Sequence, residues 1–299
     1  MKDRRVRAIR HVALRMPQAE RTATFLEESW GLIPVGAGEF RGTVDTRPLV
    51  TVAEGPAAGI DHVSFAAADR ADVDAVAARV QRLGMPLVHE PGLDAEGVYR
   101  MRCLDGYGLM LEVAETRPTR AEPAPHVPFL DRPMLISHVV LNTPDLEGTA
   151  DLYQELFGFE VSDRYGDYMA FLRCNRYHHS LALGAAEHTS LNHIAFEVGS
   201  IDGVMRSGSR LQHRGSNPVW GPGRHGPGDN VFSYFADPSG LVLEYTSGLE
   251  VFDEDEPRAA KVWPMDDPEQ DNIWGTGDPT EEGMALMLGA PDPYLRSRP

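Results

Sequence analysis

The sequence predicts an α+β protein made of four βαβββ units in two tandem pairs. Three observations carry that prediction. A strand-like opening, an amphipathic helical stretch and short closing strands recur in the same order along the chain. A histidine stands at the same place in each opening strand, as His11, His62, His138 and His193. Between the second and third units lies a stretch with Pro118, Pro123, Pro125, Pro128 and Pro133; it can continue neither a helix nor a central strand and reads as an extended linker.

Each unit has its own signals. The first opens with IRHVALRM, continues with the helical QAERTATFLEESWGL and closes with strands near GEFRGTV and PLVTVAEG. The second repeats the order with IDHVSFAA, the helix DVDAVAARVQRLG, and the strands MPLVHEPG, YRMRCLD and GYGLMLEV. ISHVVLNT, the helix LEGTADLYQELFGF and the strands YMAFLRC and HSLALG make the third. LNHIAFEV, the helix IDGVMRSGSRLQHRG and the strands VFSYFAD and GLVLEYT make the fourth. The expected division is an N-terminal domain over 1–114, the linker over 115–134, a C-terminal domain over 135–248 and an acidic tail over 249–299.

Composition narrows the function classes. With 299 residues, 42% hydrophobic and 24% charged, the chain can bury two ordinary cores. No apolar run approaches the roughly 20 residues of a membrane helix, and MKDRRVRAIRH lacks the apolar core of a signal peptide. A net charge of -17 argues against a nucleic-acid partner. From Glu250 to Glu282 there are 12 acidic and 2 basic residues, a composition that suggests a solvated tail, although Trp263, Ile273 and Trp274 offer anchors within it. Cys103 and Cys174 fall in separate strands, which fits free thiols and a cytoplasmic setting.

The chemistry concentrates between Arg224 and Ser247. If Pro238, Ser239 and Gly240 form a three-residue hairpin loop, Tyr234 and Glu244 face each other across the ladder. A glutamate on an apolar strand is costly to bury unless it is paired or binds a metal. Both pairs of units end in such a glutamate, Glu112 and Glu244, spaced 50 positions after His62 and 51 after His193. Two imidazoles and one carboxylate on one face suit Fe(II) enzymes that handle oxygen, because three octahedral positions stay open. Zn(II) or Mn(II) suits the same three groups, so the pattern names a site and leaves the metal open.

His138, His193 and Glu244, in ISHVVL, LNHIAFEV and VLEYT, resemble the metal ligands of the type I extradiol ring-cleaving dioxygenases of the vicinal oxygen chelate superfamily, whose domains are built of βαβββ units. The resemblance spans roughly residues 6 to 247, and its most specific parts are RYHHSLALG and the segment from His225 to Glu244. It implies Fe(II), with Mn(II) as the alternative, a catechol and O2 as partners, a 2-hydroxymuconic-semialdehyde-type product and a homo-oligomer. It further implies an acid/base role for His179, hydrogen bonding to the substrate by His225 and donation to a catechol oxygen by Tyr234. Alternation favours His179 over His178, since His179, Leu181 and Leu183 are expected on one face. Trp220 stands where the homoprotocatechuate branch has an arginine, so a neutral, alkyl- or aryl-substituted catechol is expected. The first domain retains His11, His62 and Glu112 but has Arg102 at the place of Tyr234, which suggests a residual, non-catalytic triad. A metal-dependent isomerase and a metal-free binding protein are the competing functions of the same repeated unit.

Overall fold

The computed structural model describes residues 3–44, 46–116, 131–266 and 270–296. Most of the expected linker, 117–130, lies outside the described residues. The first unit comprises β1 (Ala8–Met16), α1 (Ala19–Thr24), a π-helical turn over Phe25–Trp30, β2 (Ile33–Gly36), β3 (Glu39–Arg41) and β4 (Val50–Glu54). The second comprises β5 (Gly59–Ala67), α2 (Arg70–Arg82), β6 (Leu87–Leu93), β7 (Tyr99–Leu104) and β8 (Met110–Glu115). The third runs through β9 (Leu135–Thr143), α3 (Leu146–Phe157), β10 (Glu160–Tyr165), β11 (Met169–Arg173) and β12 (Leu181–Ala185). The fourth has β13 (Ser190–Glu197), α4 (Ile201–His213), β14 (Trp220–Arg224), β15 (Val231–Ala236) and β16 (Val242–Ser247). Two further elements follow, β17 (Lys261–Trp263) and α5 (Glu281–Leu288).

The units assemble as two sheets, one of eight strands in the order β2-β3-β4-β1-β5-β8-β7-β6 and one of nine, β14-β15-β16-β13-β9-β12-β11-β10-β17. In each sheet the opening strands of two units pair side by side and antiparallel, β1 with β5 and β9 with β13. The α+β fold of tandem βαβββ units is therefore present. Three closing strands beyond those expected, β2, β10 and β14, complete the first, third and fourth units. Their sequences hide them. IPVG and WGPGR contain the residues that normally break strands, and in EVSDRY the buried Glu160 and Asp163 are held by Arg173 at 2.7 Å and Arg258 at 2.8 Å.

Local chemistry sets the helix ends. The side chains of Asp69, Asp145, Ser200 and Thr280 accept hydrogen bonds from the third backbone N–H after them and so cap α2, α3, α4 and α5. The π-helical turn after α1 ends at Gly31, whose φ of 95° an L-residue with a side chain adopts only at a cost. Trp30, just before it, is fully buried and stacks on Tyr245 with ring centroids 3.7 Å apart, while the Tyr245 hydroxyl donates to the Trp30 carbonyl at 2.7 Å. Such a stack contributes about 1 kcal/mol beyond its area. It braces the strand that carries Glu244 from behind, using the first unit of the chain.

The acidic stretch after Glu250 is not a solvated tail. β17 adds an edge strand beside β10, and α5 packs on the second sheet, with Asn142 Nδ2 donating to the carbonyls of Met287 at 2.8 Å and Leu288 at 3.1 Å. Composition hides this because the anchoring groups are few: Trp263, the backbone of 270–280 and the apolar side of α5. Cys103 and Cys174 are free and buried. No helix among the described residues is long and apolar enough to cross a membrane.

Candidate metal centre

Strand register brings the expected ligands together. Ala195 on β13 pairs with His138 on β9 and with Glu244 on β16, and Glu244 pairs in turn with Tyr234 on β15. Directly paired residues share a face, and so do residues two apart on one strand, which adds His193. Between β15 and β16 the hydrogen bond from Asp237 N to the Leu241 carbonyl at 2.8 Å encloses the expected three residues, Pro238, Ser239 and Gly240. One ligand atom each from His138, His193 and Glu244 lies within 4.8 Å of the others, and all three residues are buried. His138 Nε2 and His193 Nε2 stand 3.1 Å and 3.2 Å from Glu244 Oε2. Donors about 2.1 Å from one ion at right angles lie about 3.0 Å apart, so the spacing fits a divalent cation.

The surroundings fit a cation as well. His193 Nε2 is buried without a hydrogen-bond partner of adequate geometry, an arrangement that is costly unless a metal takes the lone pair. His193 Nδ1 lies 2.8 Å from Asn192 Oδ1, and His138 Nδ1 lies 3.2 Å from Ser137 Oγ. Each partner can accept a proton on Nδ1, which leaves Nε2 free to coordinate. Asn230 Nδ2 donates to Glu244 Oε1 at 3.2 Å and to Thr246 Oγ1 at 2.8 Å, fixing the carboxylate plane. Burial alone would raise the Glu244 carboxyl, but the His138 and His193 imidazoles hold it far below the usual range. Burial pushes His193 down, toward the neutral form a metal requires.

His138 and His193 line a cavity of about 800 Å³ including its mouth. His179, His225, Tyr234 and Trp220 line the same cavity. The His225 Nδ1–H donates to the Asp271 carbonyl at 2.8 Å, which leaves Nε2, 3.1 Å from the Tyr234 hydroxyl, as the ring's acceptor when neutral. Tyr234 is buried, and burial together with the Glu244 carboxylate keeps its phenol well above the ordinary range, hence protonated. The Trp220 indole N–H donates to the Gly277 carbonyl at 3.1 Å, and its ring stacks on Tyr234 with centroids 5.2 Å apart. It therefore offers the cavity an apolar face.

His179 reaches the cavity for a reason other than the expected one. Leu181 and Leu183 point into the apolar core, whereas His179 lies over His138 with ring centroids 4.2 Å apart. β12 begins only at Leu181, and the chain bends over 178–180, so strict alternation does not extend back to the histidines. His178 lies alongside rather than opposite, with its Nδ1 2.9 Å from His179 Nδ1. Its Nε2 is 3.0 Å from Asp163, which also accepts from Arg258 at 2.8 Å and from the Trp263 indole at 2.8 Å. Asp163, His178 and Glu250 offer a second set of donor atoms within 4.8 Å of one another, but the Arg258 guanidinium already bridges the two carboxylates.

Residues 135–245 match the model of the Glyoxalase/Bleomycin resistance protein/Dioxygenase superfamily. The chain is 34% identical to the Mn(II)-bound glyoxalase from Novosphingobium aromaticivorans, with a TM-score of 0.88, over 98% of this chain and 97% of that one. Among curated proteins it is 28% identical to metapyrocatechase 2 of Cupriavidus necator over 87% of this chain and 85% of the relative. It is 26% identical to biphenyl-2,3-diol 1,2-dioxygenase of Paraburkholderia xenovorans over 80% and 87%. The chain belongs to this superfamily.

As in the second sheet, a row of four residues crosses the first: His11, Ser64, Glu112 and Arg102. The row does not form an open centre. Arg102 Nε donates to Glu112 Oε2 at 2.8 Å, Arg100 to the same oxygen at 3.1 Å, and the Ser64 hydroxyl to Oε1 at 2.8 Å. His11 Nε2 is taken by Thr51 Oγ1 at 3.0 Å, and His62 Nδ1 by Asp61 at 2.9 Å. Guanidinium charge stands where a metal would. Sequence reasoning registered the change to Arg102 but not its ion pair, and it missed Asn192, Asn230 and Asp271. Asn192 is the neighbour of a ligand and so was open to suspicion; the other two meet the site only through folding.

Proposed function

We propose that this dioxygenase cleaves a neutral catechol beside its two hydroxyls with Fe(II) held by His138, His193 and Glu244. What supports the reading is the meeting of this triad with His179, His225 and Tyr234 around one cavity. A divalent metal held by these three residues would supply Lewis acidity and open positions for substrate oxygens and O2. Tyr234 keeps its proton and so donates to a catechol oxygen. His225, its Nδ1–H engaged by the Asp271 carbonyl, turns Nε2 toward the substrate and the Tyr234 hydroxyl. His179 is held neutral by burial and by the neighbouring histidines, so it can take a proton and return it as general acid when the ring opens. Trp220 and the surrounding apolar side chains exclude water.

Mn(II) is the competing metal, and a solved relative carries it by description. The glyoxalase name of that relative raises the isomerase reading, in which a second carboxylate acts as base beside the metal. The cluster of ligand atoms within 4.8 Å contains Glu244 as its one carboxylate among the described residues. The experiment is anaerobic loading with Fe(II) or Mn(II), then a catechol panel and air. A yellow ring-opened product formed with one O2 per catechol is expected. Metal-loaded protein that consumes no O2 with any catechol rules the reading out.

A further inference from the structure

The cavity contains a carboxylate that the reaction above does not use. Asp271 lines it beside Tyr168, His225 and Trp220. The segment that carries it is bolted down on both sides: Gly226 N donates to the Gln270 carbonyl at 2.8 Å, Ile273 N to the Arg224 carbonyl at 2.8 Å, and Asn272 Nδ2 to the Gly277 carbonyl at 3.0 Å. The Asp271 backbone is thereby fixed, and its own carbonyl orients His225 at 2.8 Å. That places the residue on the cavity wall. Its charge acts on Tyr168 and Tyr234, and His225 acts on it, all three of which line the same space.

Among the described residues no fixed positive charge is paired with this group. No lysine or arginine lines the cavity, and no hydrogen bond or ion pair to the Asp271 carboxylate is formed among the described residues. Burial pushes its carboxyl up from the ordinary aspartate range. A substrate that covers it must supply a hydrogen-bond donor or a positive charge, or leave a polar group stranded. An anionic substituent would instead meet like charge in a low-dielectric pocket.

We infer that Asp271 selects the ring substituent, favouring catechols whose side chain carries a hydroxyl or ammonium donor and rejecting those that carry a carboxylate. This rests on the catechol reading and goes beyond the neutrality expected from Trp220, because a half-buried carboxylate asks for a donor where an indole only tolerates one. Asp271→Asn keeps the side-chain shape and leaves the backbone contact to His225 in place.

The test is a matched series of 4-methylcatechol, 4-(2-aminoethyl)catechol and 3,4-dihydroxyphenylacetate, on metal-loaded native protein and the D271N variant. Anaerobic Kd and aerobic kcat/KM are both measured. The native protein is expected to prefer the amine over the acid by about tenfold or more. In D271N that ratio should fall by about tenfold, and any general loss of affinity cancels in the ratio. Native protein that binds all three with an amine-to-acid ratio unaltered in D271N overturns the role of Asp271. Native protein that binds none of the three overturns the catechol reading, and the inference with it.

Discussion

The two sheets carry the same row of four cross-strand positions, His11, Ser64, Glu112 and Arg102 in one, His138, Ala195, Glu244 and Tyr234 in the other. Both glutamates are fully buried, and a buried carboxylate needs a cation. The first row answers with Arg102 and Arg100, cations fixed to the chain. The second has alanine and tyrosine at the differing places, neither of which brings charge, and leaves the need to an exchangeable ion. A guanidinium fills every direction around the carboxylate with its own atoms, whereas a metal retains open positions. The duplication thus separates a structural solution from a chemical one.

The sharpest break of this comparison is to neutralise each glutamate in turn. Glu244→Gln is expected to lose bound metal and reduce turnover by about 10³-fold or more, with the fold retained by circular dichroism. Glu112→Gln is expected to stay within a few-fold of native turnover but to lose about 3 kcal/mol of stability, because it strands guanidinium groups built to be paired. Metal analysis should find about one divalent ion per chain in native protein and in His62→Ala, and far less in His193→Ala. A metal-dependent loss of turnover in Glu112→Gln would falsify the division of labour.

The next effect tests what the first row lacks. Among the described residues it has no counterpart of His179, so the reactive difference should survive a change that spares the ligands. His179→Ala should retain the metal and cut turnover by roughly 10²-fold. Near-native turnover would remove His179 from the reaction.

A smaller effect concerns what holds His179. Asp163 is fully buried, and although burial would raise it, His178 and Arg258 hold it below the usual carboxylate range. Asp163→Asn removes the charge that orients His178 and, through it, His179. A drop of about tenfold in kcat with KM little moved is expected, as for partners one layer outside a reacting group. A larger change in KM than in kcat would mark Asp163 as a packing residue alone.

Much of this was legible before folding was known, and the reason is periodicity. Four histidines at one place in four strands, and two glutamates at matching distance, survive as pattern because strands repeat every two residues. The opposition of Tyr234 and Glu244 was legible because turn length alone determines it. His179 was reached by a faulty route, since local sequence does not announce that β12 starts at Leu181. The remainder depends on contacts between distant segments. Asp271 meets His225 across 46 positions, and Arg258 meets Asp163 across 95. An acidic stretch reads as solvated until a few backbone hydrogen bonds show otherwise.

The last effect probes the first row in acid. Burial pushes His11 down to about 3 from the usual 6.5, and Glu112, which burial would raise, is held at about 2 against 4.5 by His62 and Arg102. In each case the unfolded chain binds the proton more readily than the folded one, so stability rises with pH across the interval. The contribution of His11 is complete above pH 6.5 and drains away as the pH falls toward 3; that of Glu112 begins to go below 4.5 and continues toward 2. Between pH 6.5 and 4.5 the slope therefore belongs to His11 in this row. Unfolding free energies of metal-loaded native protein and His11→Gln, from urea titrations, should differ at pH 7 and converge by roughly 2 kcal/mol as the pH falls to 5. Parallel curves would mean that His11 takes up its proton as readily in the folded protein as in the unfolded chain, and that the first row tolerates an added positive charge beside Arg102.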